Sequence, residues 1–299
     1  MPNSKTRIFT KPAFTPEQHL EKLRNQGLHI ESDERAKTYL QHVGGYRLKG
    51  YWYHLLCPTD KTFPETISFD KIIDRYEFDR QLRALTFEAI EKLEIAVRGS
   101  IANTLSVRHG PHWFLNTDIF KPTKSWGIGT FLNKIEHEVA RSKSKQFVES
   151  YYNKFDKPYL PPSWAMTECV TFGFWSRIYT ILEESRDRKS ISMKFGIDQT
   201  EVFESWLHYL TYVRNHIAHH NRLLRLKLTI TPTNYKKMRI RVSDTKYFYS
   251  AATVINVMLI NTGIPSTWKD DLEALFAKFP DITLSEIGFP NDWTNKAGW

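Results

Sequence analysis

The sequence has little cysteine and no long apolar run, and both shortages limit what the protein can be. Cys57 and Cys169 are the only cysteines in 299 residues, so neither a disulfide framework nor a cysteine-rich zinc motif is expected. The most apolar run, 251–260, is far shorter than the roughly 20 residues of a membrane-spanning helix. Residues 1–30 are polar and lack the apolar centre of a secretory signal. We therefore expect a soluble cytoplasmic protein without a membrane partner.

The sequence also lacks several signs of nucleotide chemistry and of low-complexity structure. It has no glycine-rich phosphate loop, no internal repeat and no compositionally biased tract. It does have material for a core, because 41% of its residues are hydrophobic and 14% aromatic, which argues against disorder. The formal net charge is +9 and the isoelectric point is about 9.3. This balance favours a polyanionic partner such as nucleic acid.

Helix start and stop residues recur along the chain and predict a mainly helical protein. Thr15 before Pro16 is typical of a helix N-cap, and Gly27 is typical of a helix end. Ser68 is placed to cap a long helix that ends before Gly110. The predicted helices cover about 16–26, 33–44, 69–107, 199–217, 247–261 and 266–278. The last twenty residues are rich in turn-forming residues and are expected to wrap the surface.

Two segments are predicted to depart from a straight helix. Gly173 is expected to act as the hinge between two helices. Apolar residues alternate with polar ones at 226–230 and again at 238–242, a period typical of strands. The two runs predict a small β-hairpin that turns across residues 232–234.

The stretch richest in chemically useful side chains is YVRNHIAHHNR, residues 212–222. It holds two arginines, three histidines and two asparagines. It lies at the end of a predicted helix whose apolar residues recur every three or four positions, which predicts one buried face. These apolar residues are Val202, Trp206, Leu210, Val213 and Ile217.

Three interpretations of this motif are compatible with its residues. It could be a metal-free ribonuclease site, since histidine transfers protons near neutral pH and arginine stabilises phosphate oxygens. It could be a zinc site, since His216, His219 and His220 have spacings that place imidazoles on one helix face. It could also be a polar helix end whose histidines cap backbone carbonyls.

Basic residues in three segments are candidates for RNA contact. Their alternative role is to form solvated charged surfaces, or to protect the edge of the predicted hairpin. They are Arg222, Arg225, Lys227, Lys236, Lys237, Arg239 and Arg241 after the motif, Arg141, Lys143 and Lys145 in the middle of the chain, and Arg47 and Lys49 near its start.

Acidic residues on the long helix form a second polar group. Glu91, Glu94 and Arg98 share one region of this helix, and Glu94 with Arg98 is a favourable i,i+4 pair. They are expected either to form a salt-bridged face or to brace the helix that carries the motif.

The motif resembles the sequence of a known class of ribonucleases. Arg214 and Asn215 followed by His219 is similar to the Arg-x(4–6)-His pattern of HEPN ribonucleases, and RNHIAHHNRLLR is similar to the corresponding segment of the AbiD/AbiF abortive-infection family. The likeness extends to GYRLKGY at 45–51 and to the Pro-x-Trp segment at 162–164. The chain departs from the family after the motif, where Leu223-Leu224-Arg225 stands in place of Trp-Asn-Arg.

The resemblance implies an all-α fold, a HEPN-like helical bundle preceded by an amino-terminal helical lobe, to which the sequence adds one small β-hairpin. The expected divisions are a helical lobe at 1–67, a bundle carrying the motif at 68–264, and a closing helix with a surface tail at 265–299. The resemblance also implies that Arg214 contacts phosphate, that His219 is the general acid or base, and that Asn215 orients one of them. His220 is the second choice as base.

Helix geometry adds a constraint to this assignment. Arg214 and His219 are five residues apart, about 140° around a straight helix. One helix therefore does not easily direct both side chains at one phosphate. Either the helix ends near Ala218 or two copies of the chain meet, and HEPN enzymes commonly form such homodimers.

The expected function is that of a metal-independent endoribonuclease in anti-phage abortive infection, with no cofactor and no metal. The family resemblance adds a small non-coding RNA as an expected regulator. The alternative is a non-catalytic RNA-binding protein of a phage-defence or toxin–antitoxin system, in which the motif only binds phosphate.

Overall fold

The computed structural model describes residues 9–10, 12–121 and 128–299. In these residues the backbone is mainly α-helical, and β pairing is confined to isolated bridges such as Tyr235 with Ile240. The predicted all-α fold is confirmed. The chain divides into two compact units, 1–80 and 81–299. The boundary lies inside the long helix, and the division predicted at 67/68 and 264/265 stays a prediction.

The first unit is built from short helices with well-defined ends. They are α1 Pro16–Asn25, α2 Asp33–Tyr39, a π-helical turn Leu40–Gly44, α3 Gly45–Trp52 and the beginning of α4 Phe69–His109. Thr15 forms a capping box with Gln18 at the start of α1. Gly44 separates α2 from α3 with a φ of +91°, a backbone angle that favours glycine.

The second unit contains the rest of α4 and eight further helices within the described residues. These are α5 Ile128–Arg141, α6 Gln146–Lys154, α7 Ser163–Met166, α8 Phe172–Ile181, α9 Ser185–Ser192, α10 Thr200–Ala218, α11 Tyr249–Thr262 and α12 Trp268–Lys278. Helix α11 is buried along nearly its whole length, so it forms the centre of the core. The carboxy-terminal segment packs on it, with the Trp299 indole donating to Thr253 Oγ1 at 3.0 Å.

The predicted hairpin is wrong. The chain turns at Lys236–Met238 instead of at 232–234, and Arg239 takes a left-handed φ of +57°. Tyr235 and Ile240 close this turn with a single antiparallel bridge. The backbone N–H of Leu228, in the first predicted strand, donates to Lys246 O at 2.7 Å. Leu228, Ile240 and Val242 are buried, whereas Met238 is 56% exposed in the turn. The alternation of apolar residues therefore reflects the burial of individual side chains and not the pairing of two strands.

The predicted hinge at Gly173 is also wrong. The break between α7 and α8 lies at 167–171, and Gly173 belongs to the first turn of α8. A Cβ atom at this position would lie 3.1 Å from Thr211 Cγ2 on α10. Glycine is therefore placed where α8 approaches α10 closely, which sets the position of the helix that carries the motif.

No helix in the described ranges combines the length and the apolar character needed to cross a membrane.

Candidate active site

Helix α10 carries the motif and is fixed in the core by both packing and hydrogen bonds. Its buried face includes Trp206 and Val213. The Trp206 indole donates to Thr233 O at 2.8 Å, and the hydroxyls of Tyr209 and Ser250 are 2.7 Å apart. Burial raises the pKa of the Tyr209 hydroxyl, so this contact stays uncharged. The end of α10 is therefore held by a rigid support.

The helix ends inside the motif, in a Schellman arrangement. The N–H of Asn221 donates to His216 O at 3.1 Å, and the N–H of His220 donates to Ile217 O at 2.8 Å. His220 occupies the left-handed position with a φ of +57°, a conformation that usually selects glycine. The end expected near Ala218 is thus present, and His219 is the C-cap residue. This helix end directs the chain away from the axis of α10 at His219, the residue expected to be the catalytic histidine.

Arg214 lies beside acidic residues of α4. Its Nε is 3.5 Å from Glu94 Oε2, and Glu94 also forms an ion pair with Arg98. The Glu94 side chain is only 10% exposed, whereas that of Arg214 is 33% exposed. Glu94 therefore braces the helix that carries the motif, as one of the two expectations for this acidic face requires.

Glu94, Arg98 and Arg214 line a surface pocket of about 450 Å³ within the second unit. Its described lining includes Glu91 and, from the segment after α7, Thr167 and Glu168. No local pattern in the sequence connects Glu168 with Arg214, which lies 46 positions further along the chain. The terminal nitrogens of Arg214 form no ion pair or hydrogen bond among the described residues. They are accordingly available to an anion that enters the pocket.

The motif histidines occupy different environments. His216 is half-buried, with Nε2 at 3.2 Å from Arg222 O and Nδ1 at 3.4 Å from the Asn221 amide. His219 and His220 are exposed, and neither belongs to the described lining of the Arg214 pocket. Asn215 is exposed too, and its carbonyl accepts the N–H of His219. One chain therefore does not place His219 with Arg214 in a single pocket.

The zinc interpretation is not supported by this arrangement. His216 uses both ring nitrogens for hydrogen bonds that stabilise the helix end. In the described part of the chain, the metal-type ligand atoms that converge within 4.8 Å belong to His109, Glu184 and Asp187 instead. Both carboxylate oxygens of Asp187 are already engaged there, by Arg108 and by His109. The buried Asp187 carboxylate is therefore already satisfied by protein groups.

The basic candidate residues are spread over the surface of both units. Several are paired with acids: Arg225 with Glu286, Lys237 with Asp198, Arg241 with Asp244, and Arg141 with Glu138. Lys145 donates from Nζ to Glu168 O at 2.5 Å, which places it beside the Arg214 pocket. Lys143, Lys227, Lys236 and Arg239 are exposed. In the first unit, Lys49 lies over the Tyr53 ring and Arg47 is half-buried.

Replacement of Glu94 by alanine is expected to destabilise the second unit by about 2 kcal/mol. The change removes one largely buried carboxylate shared by two guanidinium groups, which are then left side by side. Urea unfolding followed by circular dichroism measures the effect. Glu91→Ala is the matched control, because Glu91 is an exposed acid on the same helix. Equal small losses for both variants would contradict a bracing role for Glu94.

Comparison with known proteins connects this geometry to a family. The model of a family described as Abi-like protein matches residues 38–225. The match covers more than half of the chain and includes the whole motif, so the protein belongs to the Abi-like protein family. Membership links it to abortive infection, a form of phage defence. No curated protein and no solved structure matches the chain.

Proposed function

We propose that this protein is a metal-independent endoribonuclease of the HEPN type that acts in abortive infection, in the manner of the AbiD/AbiF proteins. The observation that carries the proposal is the state of Arg214. Its guanidinium forms an ion pair with Glu94 at an Nε to Oε2 distance of 3.5 Å, it lines a pocket, and its terminal nitrogens are unengaged among the described residues. A guanidinium held in this way is suited to a phosphate whose charge increases in the transition state.

The proposed reaction is transesterification within the RNA chain. A histidine imidazole takes the proton of a ribose 2′-hydroxyl, and the 2′-oxygen attacks the adjacent phosphorus. The bond from phosphorus to the 5′-oxygen breaks, and that oxygen receives a proton from a second group, which acts as the general acid. The products are a 2′,3′-cyclic phosphate and a 5′-hydroxyl. His219 is assigned to proton transfer, Arg214 to charge stabilisation, Asn215 to orientation, and His220 is the second candidate for the base.

Two copies of the chain are proposed to complete the site. In one chain His219 lies beyond the helix end and outside the lining of the Arg214 pocket. A homodimer with the ends of α10 facing each other would combine the arginine of one protomer with the histidine of its partner. It would also supply two histidines, one for each proton transfer.

A non-catalytic RNA-binding protein is the second candidate function. The exposed cations Lys143, Lys227, Lys236 and Arg239 lie outside the motif, and phosphate contacts of this kind bind RNA without cutting it. A small non-coding RNA held on this surface is also the regulator that we propose for the enzyme.

The proposed function is tested by incubating labelled single-stranded RNA with wild-type protein and with His219→Ala, both in excess EDTA. Co-purified nucleic acid is first removed at high salt. We expect cleavage by the wild type, with 2′,3′-cyclic phosphate ends, and a loss of about a hundredfold or more in the variant. Tight binding without cleavage by either protein favours the binding function. Equal cleavage by both proteins would take proton transfer away from His219.

A further inference from the structure

A second pocket, rich in aromatic rings, lies in the same unit as the Arg214 pocket. We call it the aromatic pocket. Its volume is about 640 Å³, within the range of roughly 300–1,000 Å³ typical of small-molecule sites. Helix α6 supplies Phe147 and Tyr151, its C-cap residue Phe155 supplies a third ring, and α7 supplies Trp164. These rings offer flat apolar surfaces of the kind on which nucleobases stack.

Two of the rings in this pocket are exposed, although other large aromatic side chains of the same unit are buried. Trp164 is 56% exposed and Phe155 is 54% exposed, whereas Trp113 and Trp175 in the same unit are fully buried. Packing alone therefore does not account for an indole at position 164. Large exposed apolar side chains that line one cavity are typical of a binding site.

Contacts among the wall residues fix the shape of the pocket. The Tyr151 hydroxyl donates to Pro158 O at 2.7 Å, and the Tyr151 and Phe155 rings lie 5.4 Å apart. His112 contributes a ring 6.3 Å from that of Tyr151. Burial lowers the pKa of His112, which favours its neutral form beside an uncharged ring.

Charge and position point to a nucleotide instead of a purely apolar ligand. Lys154 and Lys157 belong to the lining and supply cations to a surface that otherwise consists mainly of aromatic and other apolar residues. Glu168 lines both the aromatic pocket and the Arg214 pocket. Its backbone carbonyl accepts from Lys145 Nζ, so a third cation stands beside the shared wall. A base in the aromatic pocket and the neighbouring phosphate of the same RNA chain in the Arg214 pocket could therefore be bound together.

We infer that the aromatic pocket binds one unpaired nucleotide, with its base against the Trp164 and Tyr151 rings and its phosphate directed to the lysines. The identity of this nucleotide as part of an RNA chain rests on the proposed function. In that case the neighbouring phosphate lies at Arg214, and the pocket selects unpaired RNA, since a base inside a duplex cannot enter it.

The test measures binding in a His219→Ala background, so that cleavage does not interfere. A fluorescein-labelled RNA hexamer is compared by anisotropy with a ribose-phosphate hexamer that carries no bases. Trp164→Ala is expected to weaken binding of the RNA hexamer about tenfold and to leave binding of the baseless hexamer unchanged. Trp164→Phe keeps a stacking ring and is expected to retain most of the affinity. Ile260→Ala is the control for an exposed apolar residue of the same unit.

Three results would overturn the inference. Unchanged affinity of Trp164→Ala for the RNA hexamer removes the stacking role. Equal weakening for both hexamers shows that Trp164 shapes the pocket without contacting a base. A mononucleotide that binds at least as tightly as the hexamer, and is not displaced by it, identifies a free nucleotide as the ligand and overturns the RNA form of the proposal.

This test and the test of the proposed function fail separately. If binding depends on the bases and on Trp164 but the wild-type protein does not cleave RNA, the nucleotide-binding pocket is supported and the ribonuclease activity is contradicted. If the wild type cleaves RNA and Trp164→Ala binds and cleaves RNA equally well, the ribonuclease activity is supported and the nucleotide-binding pocket is contradicted.

Discussion

A heterodimer of one Arg214→Ala protomer and one His219→Ala protomer is expected to cleave RNA faster than a second heterodimer, in which one protomer is wild type and the other carries both substitutions. The expected difference in rate is at least about tenfold. Each heterodimer contains one Arg214 and one His219, so their composition is identical. They differ only in whether these two residues belong to the same chain. If the proposed site forms across the dimer, only the first heterodimer keeps an arginine and a histidine that face each other.

The expected size of this effect follows from the chemistry of each residue. Loss of one donor to a charged transition state typically costs about 10²–10³ in rate. Loss of a general acid or base costs about 10²–10⁴. Arg214→Ala is expected to fold, because Glu94 keeps its ion pair with Arg98. His219 is exposed at the helix end, so its replacement does not open the core.

Two different tags, with tandem affinity purification, isolate each heterodimer from the homodimers formed beside it. Initial rates on a labelled single-stranded RNA are then compared in EDTA, with a doubly tagged wild-type dimer as the reference. Equal rates for the two heterodimers would contradict a composite site. Failure of the two tags to co-purify would contradict the dimer itself.

Much of the local structure is predictable because short-range rules decide it. Thr15 accepts from the backbone of Gln18, and this contact lies within one helical turn. Gly44 has a backbone angle that few other residues adopt. The apolar stripe of α10 contains Val202, Trp206 and Val213, which are buried as their spacing predicts. In each case the cause lies within a few residues of its effect.

The errors arise where partners are distant in the sequence. Glycine is a residue type typical of hinges. At position 173, however, glycine allows the close approach of Thr211 on another helix. The alternating residues around Leu228 have the period of a strand. The hydrogen-bond partner of the Leu228 N–H nevertheless proves to be Lys246, and no local rule identifies it. Tertiary packing thus overrides local patterns at both places.

The candidate site shows the same division. The helix end within the motif was expected from the spacing of Arg214 and His219. The brace from Glu94 was one of two expectations, because charge pattern alone does not say which partner an acid meets. The role of Glu168 as a wall shared by two pockets depends on the positions of α4, α6, α7 and α10. Only the folded chain reveals such a juxtaposition.

Replacement of Asp187 by alanine is expected to lower the stability of the second unit by about 3 kcal/mol or more. Asp187 is 1% exposed; it forms an ion pair with Arg108 and a hydrogen bond with His109 Nε2 at 2.6 Å. Asp187 lies in the first turn of α9 and Arg108 lies in the last turn of α4, so the dipole of each helix stabilises the charge at its end. Its removal leaves Arg108 partly buried without its carboxylate, and uncompensated buried charge is costly.

Urea unfolding of the variants separates this charge effect from simple loss of a side chain. Asp187→Asn preserves the shape but not the charge, so it is expected to fall between wild type and Asp187→Ala. Glu184→Ala is the matched control, since Glu184 belongs to the same cluster but is exposed, and its expected effect is about 0.5 kcal/mol or less. Should Glu184→Ala cost as much as Asp187→Ala, burial would not decide the strength of this network. If Asp187→Asn matches the wild type, the connection between α4 and α9 depends on shape and hydrogen bonding, and the charge of Asp187 is not required.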